Sequence, residues 1–161
     1  IQRLSMATGE TVNVSVLDGH EVVYVARSNS PRLVSIGFHV GDRVPAHVVS
    51  PGVVLLSRIA EKPALAWVDA HEFADFSGAT VTDPEAFMAQ VRQARRLDHW
   101  ITQQQLDGTL LGVALPLVNR HGQCKAALSM TLQVQSWPPQ AVEDKLVPAL
   151  RETALSLIPL L

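Results

Sequence analysis

The sequence predicts an α+β fold, an antiparallel sheet with helices packed on it. Three observations predict it. Strand-like runs flank Asp18-Gly19 early in the chain, and a second pair flanks Asn119-Arg120-His121-Gly122 later on, so neighbouring strands are joined by hairpins. Between these groups lie helical segments, without the repeated strand–helix–strand crossovers that a parallel sheet requires.

Residues 11–17 alternate and place Val12, Val14 and Val16 on one face; residues 21–27, with Val22, Val23, Tyr24 and Val25, form the partner strand. A third strand is expected at 33–38, after Pro31, and residues 41–47 read as a loop. Residues 53–59 form an apolar helix, with Ser50 as its cap and Pro51 in its first position. A short helix at 62–69 and an irregular stretch at 73–81 follow. Thr82-Asp83-Pro84-Glu85 reads as a capping box, after which Phe87, Met88, Val91, Ala94 and Leu97 recur at helical spacing. Strands are expected at 100–104, 111–118 and 125–134. A closing helix at 139–160 is capped by Ser136 and kinked at Pro148.

At 161 residues the chain fits one domain, 1–161. Its net charge of −2, with no basic cluster denser than Arg92, Arg95 and Arg96, argues against a DNA-gripping surface; those arginines read as a solvated helix face. A single cysteine, Cys124, excludes an internal disulfide and a thiolate metal cluster, and suits the reducing cytoplasm. No apolar run approaches the ~18 residues of a membrane span. The opening Ile1-Gln2-Arg3-Leu4 carries neither Met nor a signal pattern, so the chain is expected to be a piece of a longer protein.

Two segments carry candidate chemistry. With Ser50 as cap and Pro51 next, the amides of Gly52 and Val53 would lack intrahelical acceptors. Gly52 would then let a ligand approach the backbone, which is a ready place for a carboxylate. An ordinary capped helix is the plainer reading. In 127–133, Leu128, Met130 and Leu132 share one face while Ser129, Thr131 and Gln133 share the other. The two hydroxyls are either the floor of a pocket or the solvent side of a sheet. The histidines are scattered: His20 and His121 sit in turns, and His39 and His47 near a loop. Asp69, His71 and Glu72 match no ligand spacing with a mechanism, no metal or other cofactor is implied, and no nucleophile elbow, phosphate loop or dinucleotide fingerprint is present. Cys124, with no helix start or base to activate it, reads as inert.

The order and wording of several segments resemble the C-terminal effector-binding domain of IclR-type transcriptional regulators across essentially the whole chain. They are Thr8-Gly9-Glu10-Thr11-Val12, Leu17-Asp18-Gly19-His20-Glu21-Val22-Val23-Tyr24-Val25, Val40-Gly41-Asp42-Arg43-Val44-Pro45-Ala46-His47, Thr82-Asp83-Pro84-Glu85, Val113-Ala114-Leu115-Pro116 and Arg120-His121-Gly122. The resemblance implies a curved antiparallel sheet related to GAF and profilin-like sensor domains, with a ligand pocket on its concave side. It implies residues 1–8 as the end of a linker helix, an N-terminal helix-turn-helix domain outside this chain, a homodimer or homotetramer, no membrane association, and a small organic acid as effector rather than an enzymatic substrate.

Carried over by position, the family's pocket falls on Ser50, Pro51 and Gly52 as backbone contacts and on Ser129 and Thr131 as donors. Thr102 and Gly112 take further polar positions, and Leu33, Ile36, Val44 and Leu110 form an apolar wall. Where relatives often carry an acidic residue near Thr102 and a Gly before Leu110, this chain reads Gln103-Gln104-Gln105-Leu106-Asp107-Gly108-Thr109, and Gly52-Val53 replaces a common Gly-Lys. Loss of the acid leaves a pocket more tolerant of an anion. The phrase 115–122, with Leu150-Arg151-Glu152-Thr153-Ala154, resembles the branch controlling aromatic-acid breakdown, which implies protocatechuate, 4-hydroxybenzoate or a ring-opened β-ketoadipate. The alternatives are a small enzyme using His47 or His39 as base, and a ligand-free oligomerisation module.

Overall fold

A computed structural model describes residues 1–32 and 36–161. Helix α1 (Gln2–Thr8) leads into the hairpin β1 (Val12–Asp18) and β2 (Glu21–Ser28), which turns through Gly19 at φ +62°. A three-residue strand β3 (Arg43–Pro45) and a 3-10 turn (Ala46–Val48) precede the helices α2 (Ser50–Ser57), α3 (Glu61–Ala70) and α4 (Pro84–Leu97). Strands β4 (Trp100–Gln103), β5 (Leu110–Val118) and β6 (Cys124–Gln133) follow, then α5 (Pro139–Ala141), a wide π turn (Val142–Leu146) and α6 (Val147–Leu157). The six strands make one antiparallel sheet in the order β3-β2-β1-β6-β5-β4.

The period-2 pattern decides which side of the sheet each residue faces. Val12 pairs with Met130 and Val14 with Leu128. These side chains, with Leu111, Val113, Leu115 and Leu117, form the larger core under α1 and α6. On the opposite face α2 lies against Ala114 and Ala127 through Val54 and Leu55, and α3 and α4 close over α2 around Val53, Leu56, Phe87 and Val91. Small residues at 114 and 127 are what let α2 come down onto the strands. The sheet is thus covered on both sides.

Several expectations are corrected. The third strand lies at Arg43–Pro45, which reads as loop in the sequence, and pairs with β2. The stretch expected at 33–38 is not a strand over 36–38, and 33–35 lie outside the described residues. Asp83, not Thr82, caps α4, its carboxylate accepting from the Ala86 amide at 3.0 Å. Ser136 caps nothing, since Pro138 stands at the start of α5. Pro148 falls in the first turn of α6, and because it donates no N–H the helix widens to a π turn just before it rather than running unbroken.

Candidate functional site

The row that β4, β5 and β6 make across the sheet positions the site. Thr102 pairs with Gly112 and Gly112 with Thr131, so two threonines flank a glycine on the face under α2. In the next row Ser129 stands opposite Ala114 on one side and Asn13 on the other. Over Gly112 comes the start of α2: a Cβ built on Gly112 would lie 2.9 Å from Ser50 Oγ and 3.3 Å from Thr102 Oγ1. The missing side chain is therefore what brings hydroxyls from a helix and an edge strand together.

These groups line a cavity between α2 and the sheet. Ser50, Pro51, Thr102, Gly112, Ser129, Thr131 and Leu110 all border it. The polar face of β6 is not the solvent side of a sheet: Ser129 is 3% and Thr131 8% exposed. Three expected residues stand elsewhere. Gly52 lies against the 3-10 turn, where an added Cβ would be 1.8 Å from the Ala46 carbonyl oxygen; its glycine serves helix packing. Val44 is buried behind the wall with Val22 and Val48, Ile36 does not border the cavity, and Leu33 lies outside the described residues.

The helix start also differs from expectation. Val49 is the cap residue, Ser50 is already helical, and the Gly52 amide donates to the Val49 carbonyl at 3.1 Å instead of remaining open. The consequence favours a ligand in another way. Ser50 spends no hydroxyl on capping, so its Oγ stays uncommitted above Gly112.

Tyr24 is the main residue that sequence reasoning missed. Its ring stacks on Phe38 (centroids 4.5 Å apart), both border the cavity, and burial, helped by the Asp42 carboxylate, keeps the phenol protonated. As the chain's one tyrosine, on the same face of β2 as buried Val22, it offered a signal, because a buried phenol needs a polar partner. Gln104, Gln105 and Leu106 supply a roof that the sequence displays only as a polar loop. Among the described residues no hydrogen bond engages the hydroxyls of Tyr24, Ser50, Thr102, Ser129 or Thr131, and no side chain bordering the cavity is ionised at neutral pH. Five neutral donors without partners face one buried space.

The proposed bases are not at this space. His47 is buried, its Nε2 bonded to the Ala74 carbonyl and its Nδ1 to His71, and His39 is exposed beside Asp42. No group of three or more His, Cys, Asp or Glu among the described residues is placed to hold a metal ion. Burial pushes the Cys124 thiol up, in keeping with an unreactive sulfur.

Burial lowers His71 to about 4, with His47 and His20 adding to the shift, and burial also lowers His47. The unfolded chain takes up a proton at His71 near pH 6.5 while the folded chain does not, so stability rises with pH between about 4 and 6.5. It is fully present above that window and is lost as pH falls through it. Urea unfolding at pH 7.5 and pH 5 is expected to differ by about 1–2 kcal/mol from this group after solvent screening, and His71→Phe to flatten that slope.

A sheet covered on both faces, with a hydroxyl-lined cavity that no charged side chain among the described residues borders, defines a class of small-molecule-binding domain. The chain belongs to the family described as the bacterial transcriptional regulator IclR C-terminal domain, whose model matches residues 1–158. It is 34% identical over 159 residues to the p-hydroxybenzoate hydroxylase transcriptional activator of Acinetobacter baylyi, covering 96% of this chain and 59% of that protein. Among solved structures it superposes with a TM-score of 0.93 on a double mutant of the PobR transcription factor inducer-binding domain from Acinetobacter, in complex with 3-hydroxybenzoic acid (33% identity, 99% of this chain and 94% of that one). An IclR homologue from Microbacterium hydrocarbonoxydans complexed with 4-hydroxybenzoate gives a TM-score of 0.83 at 26% identity, with 98% and 62% covered. The chain thus spans less than two thirds of the length of the activator. No helix among the described residues is long and apolar enough to cross a membrane.

Proposed function

We propose that this chain is the sensor of a longer regulator and that its cavity receives a small aromatic monocarboxylate of the hydroxybenzoate class. The observation that carries the reading is the convergence of five uncommitted hydroxyls on a buried space without an ionised wall. A carboxylate needs donors, and hydroxyls supply them. One negative charge is tolerable there, helped by the positive end of α2, whereas a second carboxylate would be buried with no countercharge. That favours a monohydroxybenzoate over β-ketoadipate. The hydroxybenzoates bound by the two solved relatives support the same class.

In this reading α1 is the end of the linker to a helix-turn-helix domain outside the chain, the regulator is a cytoplasmic homo-oligomer, and the effector acts by preferring one arrangement of it. A thermal-shift screen of 3- and 4-hydroxybenzoate, protocatechuate and β-ketoadipate tests the cavity. A monohydroxybenzoate at 100-fold its Kd is expected to raise the melting temperature by roughly 5–10 °C, saturably. A folded sample with a flat response to all four acids would overturn the reading.

A further inference from the structure

Three histidines that the cavity does not use form one hydrogen-bonded chain beside it. His47 Nε2 lies 2.9 Å from the Ala74 carbonyl, His71 Nε2 lies 2.7 Å from His47 Nδ1, and His20 Nδ1 lies 2.9 Å from His71 Nδ1. A carbonyl only accepts, so His47 must donate from Nε2 and accept at Nδ1. His71 then donates from Nε2 and accepts at Nδ1, and His20 donates from Nδ1. Every proton in the chain is assigned by that one carbonyl, and only His20 Nε2 is left without a partner. The Trp67 indole stacks on both His20 and His71 (centroids 4.7 and 4.3 Å) and donates to the Gly19 carbonyl at 2.8 Å.

The chain ties together four pieces of backbone. His20 is in the β1–β2 turn, and its own carbonyl accepts from the Ala46 amide at 3.0 Å. His71 follows the end of α3. His47 is in the turn that runs directly into Val48, Val49 and Ser50 on one rim of the cavity. Ala74 belongs to the irregular segment after α3, whose Phe73 packs edge-on against His47 (5.2 Å). That segment braces the opposite rim: Thr80 Oγ1 donates to the Gln105 carbonyl (2.6 Å), the Val81 amide to Gln105 Oε1 (2.7 Å), and Ser77 Oγ to the Gln104 carbonyl. Gln104 and Gln105 border the cavity.

We propose that His20, His71 and His47 are positioning residues, a clasp that sets both rims of the cavity, so that effector affinity depends on an intact imidazole chain. The inference rests on the cavity reading above. No carboxylate steadies an extra proton in the chain. The ionisable groups acting on His71 are His47 and His20 alone, none acts on His47, and Asp69, Glu72 and Asp75 nearby in sequence are exposed and form no ion pair with these rings among the described residues. A second proton on His71 or on His47 would set two N–H groups against each other, so the chain needs both of these rings neutral.

The test uses the 161-residue chain. Long-range 15N–1H spectra at pH 7.5 are expected to show His20 in the uncommon Nδ1–H tautomer, with His71 and His47 protonated at Nε2. A His20 in the Nε2–H form would overturn the clasp. His71→Phe keeps the stack on Trp67 and removes both hydrogen bonds; binding of 4-hydroxybenzoate is expected to weaken about five- to twentyfold. His71→Gln, which can still donate and accept, is expected to recover part of the loss. Wild-type affinity in a folded His71→Phe protein would sink the proposal while leaving the cavity reading intact. If His71→Phe does not fold, His20→Phe at the exposed turn breaks one link and is expected to weaken binding less, and unchanged affinity there overturns the clasp. Absence of binding by the unaltered chain to any of the four acids overturns both readings.

Discussion

Gly52→Ala is expected to destabilise the domain by about 3 kcal/mol or more, because the new Cβ would sit 1.8 Å from the Ala46 carbonyl oxygen. That atom is backbone, so no side-chain rotation relieves the overlap; α2 and the turn before it must separate. For a domain of this size the melting temperature should fall by roughly 6–12 °C in calorimetry. The separation would also carry Val48, Val49 and Ser50 away from the cavity, so affinity should fall with stability. Gly108→Ala is the control. Its Cβ would meet nothing within 4 Å, and a change of no more than about 0.5 kcal/mol is expected. Equal stability of the two variants would show that α2 does not need this close approach.

The second large effect is on binding. Ser129→Ala combined with Thr131→Val removes two of the five uncommitted hydroxyls while preserving shape, since both sites are buried and neither hydroxyl holds another protein group. A loss of about 1–3 kcal/mol in 4-hydroxybenzoate affinity, roughly five- to 150-fold in titration calorimetry, is expected. Stability without ligand should change little or rise slightly, because an unpartnered buried hydroxyl is replaced by an apolar group. Unchanged affinity with intact folding would remove these residues from the site. Opposite signs on binding and on stability are the mark of groups kept for a ligand rather than for the fold.

Local signals account for what was legible. The Asp-Gly hairpin, the alternation of Val12, Val14 and Val16, and the helical spacing from Phe87 to Ala94 each depend on a few neighbouring residues, and each appears at its expected place. Short or competing signals misled. Three residues at β3 are too few to show alternation, and its strand character comes from pairing with β2. Two polar residues stood before Pro84, and backbone geometry chose Asp83 over Thr82 as the cap. Ser50 followed by Pro looks like a cap in any sequence; the preceding 3-10 turn starts the helix one residue earlier and frees its hydroxyl.

By itself the sequence determined the class of fold and the two faces of β6, because strand periodicity and turn chemistry are properties of adjacent residues. The tertiary structure alone decided that Ser129 and Thr131 on β6 border a cavity and are not turned to solvent, since that depends on whether α2 can descend onto Ala114 and Ala127. It also decided that Gly112 leaves room for hydroxyls from two separate elements, and that His20, His71 and His47, up to 51 residues apart, meet in one chain. Such convergence depends on how distant surfaces pack, and the spacing of residues along the chain does not encode it.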